Sequence, residues 1–156
     1  MNIFDSMFST SSVLSEQLVP QIFDILPEDG PVMVIMDSDG NLWPSSEEEF
    51  SKLSIDVSFL KELCAKVDDG MEPVKTQVGN ISATAAQLAT EQNNYGYVFI
   101  VLPQYNPELT LTNIDLIEAL LNQTALITDL VEKNNQLLEL QLKLESLYHS
   151  GITPSN

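Results

Sequence analysis

The stretch GYVFIVLP, residues 96–103, continues through QYNPELT, residues 104–110, toward TNIDLIEALLNQTALITDLVEKNNQLLELQLKLESLYH, residues 112–149. The first part is a short apolar run typical of a buried strand. The last part contains neither proline nor glycine, and it predicts one helix over residues 111–149. At about 1.5 Å per residue this helix is roughly 55 Å long. Because a small domain cannot bury a rod of that length, we expect a second chain to cover part of it.

The second half of this helix carries leucines at alternating spacings of four and three residues. Such spacing is typical of a coiled-coil seam, here with one polar interruption at Lys133. It predicts a homodimer, and the predicted interface residues are Leu126, Leu130, Leu137, Leu140, Leu144 and Leu147. We expect the two helices to run parallel, although the spacing alone also fits an antiparallel pair.

An intramolecular pairing is the alternative for the same leucines. Apolar residues at helical spacing predict an N-terminal helix over residues 13–26, kinked or split at Pro20. This helix is too short to cover the whole seam, so self-association is favoured. Both arrangements could coexist in a four-helix bundle across a two-fold axis.

The segments between the helices predict an antiparallel sheet of about five strands, and hence an α+β fold with flanking helices. PVMVIMD, residues 31–37, is typical of a buried central strand, and a hairpin turn with Asp39–Gly40 at its tip follows it. Pro44 ends the short return strand. Residues 72–103 predict a three-strand meander, in which the Ala-rich face of ISATAAQLA would let a helix approach the sheet.

A connecting segment with helical potential and then a middle helix precede this meander. The run of three glutamates after Ser46 opens the first, and SFLKELCAKVDDG forms the second. Asp56 or Ser58 can cap the middle helix, and we expect Gly70 to close it. We expect residues 13–149 to form a single domain, residues 1–12 to be mobile and residues 150–156 to be a disordered tail.

The charge balance excludes several functions. The 156 residues contain 23 acids against 6 bases, a formal net charge of -17, and every base is lysine. A nucleic-acid site needs a cationic patch, and phosphate sites usually use arginine, so neither is expected. An anionic membrane surface would repel the chain. No run approaches the ~20 apolar residues of a membrane span, and we expect a cytoplasmic protein.

Candidate catalytic groups are few. Cys64 lies on an apolar helical face of FLKELCAKV and is interpreted as a small buried hydrophobe. The single histidine, His149, lies near the end of the long helix, so a Cys–His pair is not expected. The sequence therefore predicts no enzyme, no cofactor and no metal site.

Two further groups of residues are candidates for binding. Asp37, Asp39, Asn41, Ser45 and Glu48 fall at the ligand positions of an EF-hand-like calcium loop, but Leu42 occupies the position that needs glycine. A hairpin turn explains the same residues. The aromatic side chains of Trp43, Phe59, Tyr95 and Tyr97 could line an apolar ligand cavity, although aromatic residues in a domain of this size belong first to the core.

Acidic residues Asp68, Asp69 and Glu72 cluster after the middle helix. A weak cation site and a solvated loop are the two interpretations, and the solvated loop is favoured because acids at a helix C-terminus oppose its dipole.

The order of these segments resembles a GAF domain, with the PAS class second. The similarity lies in the entry helix, the PVMVIMDSDGNLW hairpin, the middle helix, the three-strand run and the last strand GYVFIVLPQ followed by a long helix. The resemblance implies a small-molecule pocket between sheet and helices, or a degenerate pocket that serves dimerisation alone. The Asn-Lys-Phe-Asp-Glu signature of the cyclic-nucleotide-binding members is missing.

These observations predict a non-enzymatic GAF-like sensory or adaptor domain that forms a homodimer through its long helix. A small-molecule ligand or a protein partner would act on the globular part. The alternative is a structural scaffold with a filled core and no ligand.

Overall fold

The computed structural model describes residues 17–27, 30–102 and 110–149. The expectations for residues 1–12 and 150–156 concern parts of the chain outside these ranges. The described elements are α1 (Val19–Phe23), β1 (Val32–Asp37), β2 (Leu42–Pro44), α2 (Glu47–Leu53), α3 (Val57–Gly70), β3 (Val74–Val78), β4 (Ile81–Ala89), β5 (Asn94–Leu102) and α4 (Thr110–His149).

The five strands form one antiparallel sheet in the order β2-β1-β5-β4-β3. This confirms the predicted α+β class and the three-strand meander of β3, β4 and β5. The two most apolar segments, β1 and β5, lie next to each other inside the sheet. Every residue of β1 is buried, as expected for a strand that helices cover on both faces.

Helices cover both faces of the sheet and create two cores. On one face, Leu18 and Ile22 from the region of α1 and Ile117 and Leu120 from α4 pack on β1, β4 and β5. On the other face, α3 contributes four apolar side chains to the core, and residues of α2 pack at its margin. Those four residues of α3 are Leu60, Leu63, Cys64 and Val67.

Local signals in the sequence explain the ends of the short helices. Ser46 caps α2 by accepting a hydrogen bond from the Glu49 amide, and Asp56 caps α3 by accepting one from the Ser58 amide. The prediction that Gly70 closes α3 is wrong by one residue. Gly70 is the last helical residue, and Met71 takes the left-handed conformation with φ 56°.

The β1–β2 hairpin turns one residue earlier than predicted. The Gly40 amide bonds to the Asp37 carbonyl over 3.0 Å, so Ser38 and Asp39 occupy the centre of the turn. Gly40 follows in the left-handed region with φ 87°. This loop is a turn followed by a left-handed glycine, a common way to connect hairpin strands.

Gly96 lets β5 start with a bulge. The register of β4 and β5 shifts between Leu88 and Ala89, and Gly96 has φ 129°. A Cβ at this position would lie 2.0 Å from the Met36 carbonyl oxygen, so the backbone has room only for glycine. Because of the irregularity, Tyr95 and Tyr97 pack on opposite faces of the sheet.

Candidate functional site

The long helix α4 has a face that packs on the sheet. Ile117, Leu120, Thr124, Thr128 and Val131 are all buried along this face. They meet β4, whose inward positions on that side include Ser82, Thr84 and Ala86. These small side chains allow α4 to approach closely. The Ala-rich face of the strand, which the sequence predicted would admit a helix, carries Ala83 and Ala85 and lies in the core under α3 instead.

The opposite face of α4 exposes the predicted leucine seam. The six leucines are between 51% and 65% exposed, and they are Leu126, Leu130, Leu137, Leu140, Leu144 and Leu147. At 100° per residue, the centre of this set lies about 170° around the helix from the buried set. The seam therefore points away from the domain's own core.

This geometry contradicts the intramolecular alternative within the described part of the chain. Leu18, Val19 and Ile22 join the same core as Ile117 and Val131. The region of α1 therefore packs on the sheet-facing side of α4, whereas the seam leucines remain exposed.

The last part of α4 extends beyond the globular body. Asn135 is its last buried residue, and every residue from Gln136 to His149 is exposed or only partly buried. The projecting part is roughly 20 Å long at about 1.5 Å per residue. It carries four of the six seam leucines, and such a projection presents an apolar edge to other molecules.

Two lysines on α4 are paired within their own helix. Lys133 Nζ, inside the seam, lies 3.7 Å from Asp129 Oδ2, and Lys143 Nζ lies 3.2 Å from Glu139 Oε1. Both pairs have the i, i+4 spacing that supports an exposed helix by a few tenths of a kcal/mol.

A buried carboxylate joins α4 to the β4–β5 connection. Glu132 is 7% exposed, and its Oε2 accepts hydrogen bonds from Thr90 Oγ1 at 2.7 Å, from Asn93 Nδ2 at 2.9 Å and from the Tyr95 hydroxyl. Burial alone would raise the pKa of Glu132, but the three hydrogen bonds outweigh it and the pKa is lowered. Burial, and then the same contact with Glu132, raise the pKa of the Tyr95 hydroxyl far above its usual value.

A similar pair lies on the other face of the sheet. The Tyr97 hydroxyl donates to Asp68 Oδ2 over 2.6 Å, and Gln87 Nε2 donates to Asp68 Oδ1 over 3.1 Å. Burial and the Asp68 carboxylate raise the pKa of Tyr97. One tyrosine on each side of the Gly96 bulge thus ties a helix to the same end of β5. The hydrogen bonds from Tyr97 and Gln87 give Asp68, one of the acids of the predicted cluster, a structural role.

The four aromatic residues predicted as pocket candidates lie in different places. Phe59 lines an apolar surface pocket of about 250 Å³ beside β3 and β4. Trp43 and Tyr95 belong to the core on the α4 side, whereas Tyr97 packs on the α3 side. The structure does not bring the four residues together around one cavity, and their role in ligand binding stays a prediction.

A second, more polar surface pocket lies near the start of α2. Its volume is about 300 Å³, and Phe23, Leu26, Ser45 and Glu49 are among the residues that line it.

The residues of the calcium-like loop organise the hairpin. Asp37 is buried, and its Oδ1 accepts hydrogen bonds from the Asp39 and Asn41 amides at 2.9 Å each. Its Oδ2 accepts from Asn41 Nδ2 and Trp43 Nε1 at 3.2 Å each. Burial raises the pKa of Asp37, but these bonds lower it overall. No group of three His, Cys, Asp or Glu side chains that could hold a metal ion occurs within residues 17–27, 30–102 and 110–149.

We therefore expect calcium at about 1 mM to leave the melting temperature unchanged within about 1 °C, since binding would raise it by mass action. Magnesium at the same concentration controls for ionic strength. A saturable rise with calcium alone, lost in Asp37→Asn, would contradict this expectation.

Cys64 and His149 lie on different helices, Cys64 within α3 and His149 at the end of α4. Cys64 is buried, its Sγ lies 3.9 Å from Met36 Sδ, and burial raises the pKa of its thiol to about 11. His149 is exposed at the end of α4, where its ring meets Tyr148 edge to face. Cys64 therefore packs as a small apolar side chain, as the sequence predicted.

Sequence reasoning missed Glu132 as a buried residue. Its position could have indicated burial, because Glu132 follows Val131 and lies beside the helix face formed by Thr124, Thr128 and Asn135. An acid in a polar stretch of helix is usually interpreted as solvent-exposed. Its three donors lie about forty residues away in sequence, so the pattern along the helix does not reveal them.

Among the described residues, no helix combines the length and the apolarity needed to cross a membrane. No protein-family model, curated protein or solved structure matches the chain.

Proposed function

We propose that this chain is a non-enzymatic, GAF-like sensory or adaptor domain that forms a homodimer through its long helix α4. The exposed leucine seam on the side of α4 away from the core carries this proposal. A cytoplasmic location, expected from the sequence, stays a prediction.

The seam supports a second copy as the partner because the pattern is self-complementary. Burying a leucine side chain stabilises by about 1.5–3 kcal/mol relative to leaving it in water. A repeated four–three spacing lets each leucine enter a hole between side chains of a matching helix. The same chain offers that matching helix in every copy.

Among the pockets formed by described residues, none gives small-molecule sensing more support than the seam gives to partner contact. Ligand sites are usually clefts of about 300–1,000 Å³ with a few convergent polar groups. The apolar pocket beside Phe59 is smaller, at about 250 Å³. The pocket of about 300 Å³ near Glu49 reaches the lower end of that range. We therefore place the adaptor role first, and a ligand-free structural scaffold is the alternative.

Native mass spectrometry of freshly purified protein tests the proposal, because it weighs the assembly and any bound molecule together. We expect a mass of twice 17.3 kDa. An additional small mass that survives repeated purification would support a sensor, and a bare dimer would support the adaptor or scaffold. A monomer at micromolar concentration would contradict the proposed dimer.

A further inference from the structure

We propose that the two copies pair through the seam in antiparallel directions, with residue 135 of one α4 opposite residue 135 of the other. This inference rests on the proposed dimer and specifies its geometry. It replaces the parallel arrangement expected from the sequence.

The apolar positions fit this register. In an antiparallel coiled coil, each a position packs against a d position of the partner. Leu130, Leu137 and Leu144 are the a positions, and Leu126, Lys133, Leu140 and Leu147 are the d positions. Leu126 then faces Leu144 of the second copy, Leu130 faces Leu140, and Lys133 faces Leu137. Contacts therefore continue from residue 126 to residue 144 on both helices.

Lys133 disfavours the parallel arrangement. In a parallel pair in register, Lys133 of one copy faces Lys133 of the other in the same layer, and two like charges repel each other in a partly desolvated interface. In the antiparallel register each lysine faces a leucine instead. The ammonium group can stay with Asp129 of its own helix, 3.7 Å away, while its methylene stem covers apolar surface.

The residues that flank the seam also favour the antiparallel direction. In a parallel pair, the flanking partners are Asp129 with Asn134, Gln136 with Gln141, and Lys143 with Tyr148. None of these pairs joins opposite charges. In the antiparallel register, Asp129 lies beside Lys143 of the second copy, and the two-fold axis produces this pair twice.

The charge pairs also select the register. An antiparallel pair shifted by one heptad toward the C-terminus keeps six seam positions in contact, but it places Lys143 beside Gln136 and loses both charge pairs. Flanking charges set the orientation and partner choice of coiled coils, so the register centred on residue 135 is preferred. Asp129 and Lys143 keep side-chain exposures of 48% and 65% in the single chain and can reach a partner.

The acidic globular parts favour the same direction. Each chain has a formal net charge of -17. The part of α4 that packs on the sheet is centred near residue 126, which lies opposite residue 144 of the second copy. The two globular parts are then displaced by about 27 Å along the helix axis. A parallel pair would place them side by side, with stronger repulsion at low salt.

Distance measurement by pulsed electron resonance tests the direction. The spin label is attached to Ser146→Cys, an exposed position near the end of α4. The antiparallel register separates the two labels by roughly 35–45 Å, whereas a parallel pair separates them by roughly 20–30 Å. The buried Cys64 thiol, with its pKa raised to about 11, should label slowly, and the unsubstituted chain is the blank.

Native mass of the labelled protein separates the two proposals. A dimer with the long distance supports the antiparallel register. A dimer with the short distance overturns the register but leaves the proposed dimeric function standing. A monomeric unsubstituted chain overturns both. If only the chain labelled at Ser146→Cys is monomeric, the spin label is moved to Asn122→Cys, another exposed position. The antiparallel register predicts roughly 40–50 Å between the two labels there.

A charge exchange tests the register independently. We expect Asp129→Lys and Lys143→Asp each to raise the dissociation constant roughly three- to tenfold, because two attractive pairs become repulsive. In the double variant the dissociation constant should return most of the way to that of the unsubstituted chain. Within each helix, the new lysine at 129 repels Lys133 and the new aspartate at 143 repels Glu139. Both repulsions persist in the double variant, so only pairing between the two helices can restore binding.

Matched controls carry the same change of charge away from the seam. Asp115→Lys lies on α4 before the overlap, and Lys61→Asp lies on α3; both positions are exposed. We expect neither control to change the dissociation constant as strongly as the seam variants do. Combining the two controls should not lower the dissociation constant below that of either control alone. An Asp129→Lys, Lys143→Asp protein that binds more weakly than either single variant would overturn the register.

Discussion

Replacing Leu137 and Leu144 together by aspartate should convert the dimer into a monomer without unfolding the domain. Both side chains are a positions of the seam and are 65% and 60% exposed in the single chain. The double variant puts four carboxylates into the interface of a dimer. In the antiparallel register the two at position 144 face Leu126 of the second copy without a counter-charge, and each costs several kcal/mol there. The two at position 137 face Lys133, but they still remove two buried leucines, worth about 1.5–3 kcal/mol each. A micromolar dimer has only about 8 kcal/mol of binding free energy. Native mass spectrometry and sedimentation at about 10 μM measure the change.

A matched variant separates the seam from the added charge. Leu138→Asp together with Ser146→Asp adds the same two charges to the same part of α4, away from the a and d positions. We expect this control to remain dimeric. Helical circular dichroism should remain near the unsubstituted value in both variants, apart from fraying of the projecting segment. A Leu137→Asp, Leu144→Asp protein with unchanged mass would show that the seam is not the interface.

The seam also shows how far local patterns can predict structure. A coiled-coil pattern depends only on residue spacing along one helix, so the sequence located both the helix and its apolar edge. The structure added the direction in which that edge points, because exposure depends on what β4 and α1 cover. Small side chains such as Ser82 and Thr84 are buried where β4 meets α4. Their effect appears only when strand and helix are placed together.

The aromatic residues show where local patterns fail. Trp43, Phe59, Tyr95 and Tyr97 were grouped by residue type, and the fold distributes them over both faces. Tyr95 and Tyr97 would share a face in a regular strand, where side chains alternate with a period of two. The bulge at Gly96 breaks this alternation. A glycine within a strand can indicate such a bulge, but the partner that approaches it, the Met36 carbonyl, is sixty residues away.

The contact between Tyr95 and Glu132 gives the second large prediction. Glu132→Ala should lower the free energy of unfolding by about 3 kcal/mol, because the Tyr95 hydroxyl, Asn93 and Thr90 lose their shared acceptor and a buried unsatisfied group costs about 1–3 kcal/mol. Glu118→Ala, at an exposed position of the same helix, should cost less than about 0.5 kcal/mol. Urea unfolding at one fixed protein concentration measures both, since dimerisation makes stability concentration-dependent.

A double-mutant cycle assigns the loss to the pair itself. Tyr95→Phe should cost about 1–2 kcal/mol and Glu132→Ala about 3 kcal/mol, and together they should cost less than the sum by about 1 kcal/mol, because each removes the same hydrogen bond. Strictly additive losses would contradict a direct contact between the two side chains.

The pH dependence follows from the lowered pKa of Glu132. A carboxyl group with a lower pKa in the folded state binds fewer protons there than in the unfolded state, so it stabilises the fold above the unfolded-state value near 4.5. That stabilisation is lost as the pH falls through the folded-state pKa, which lies below 4.5. The stability gap between the natural chain and Glu132→Gln should therefore be constant from pH 6 to 7 and narrow below about pH 4.5. A gap that stays constant down to pH 3 would show that the Glu132 charge does not hold α4 to the β4–β5 connection.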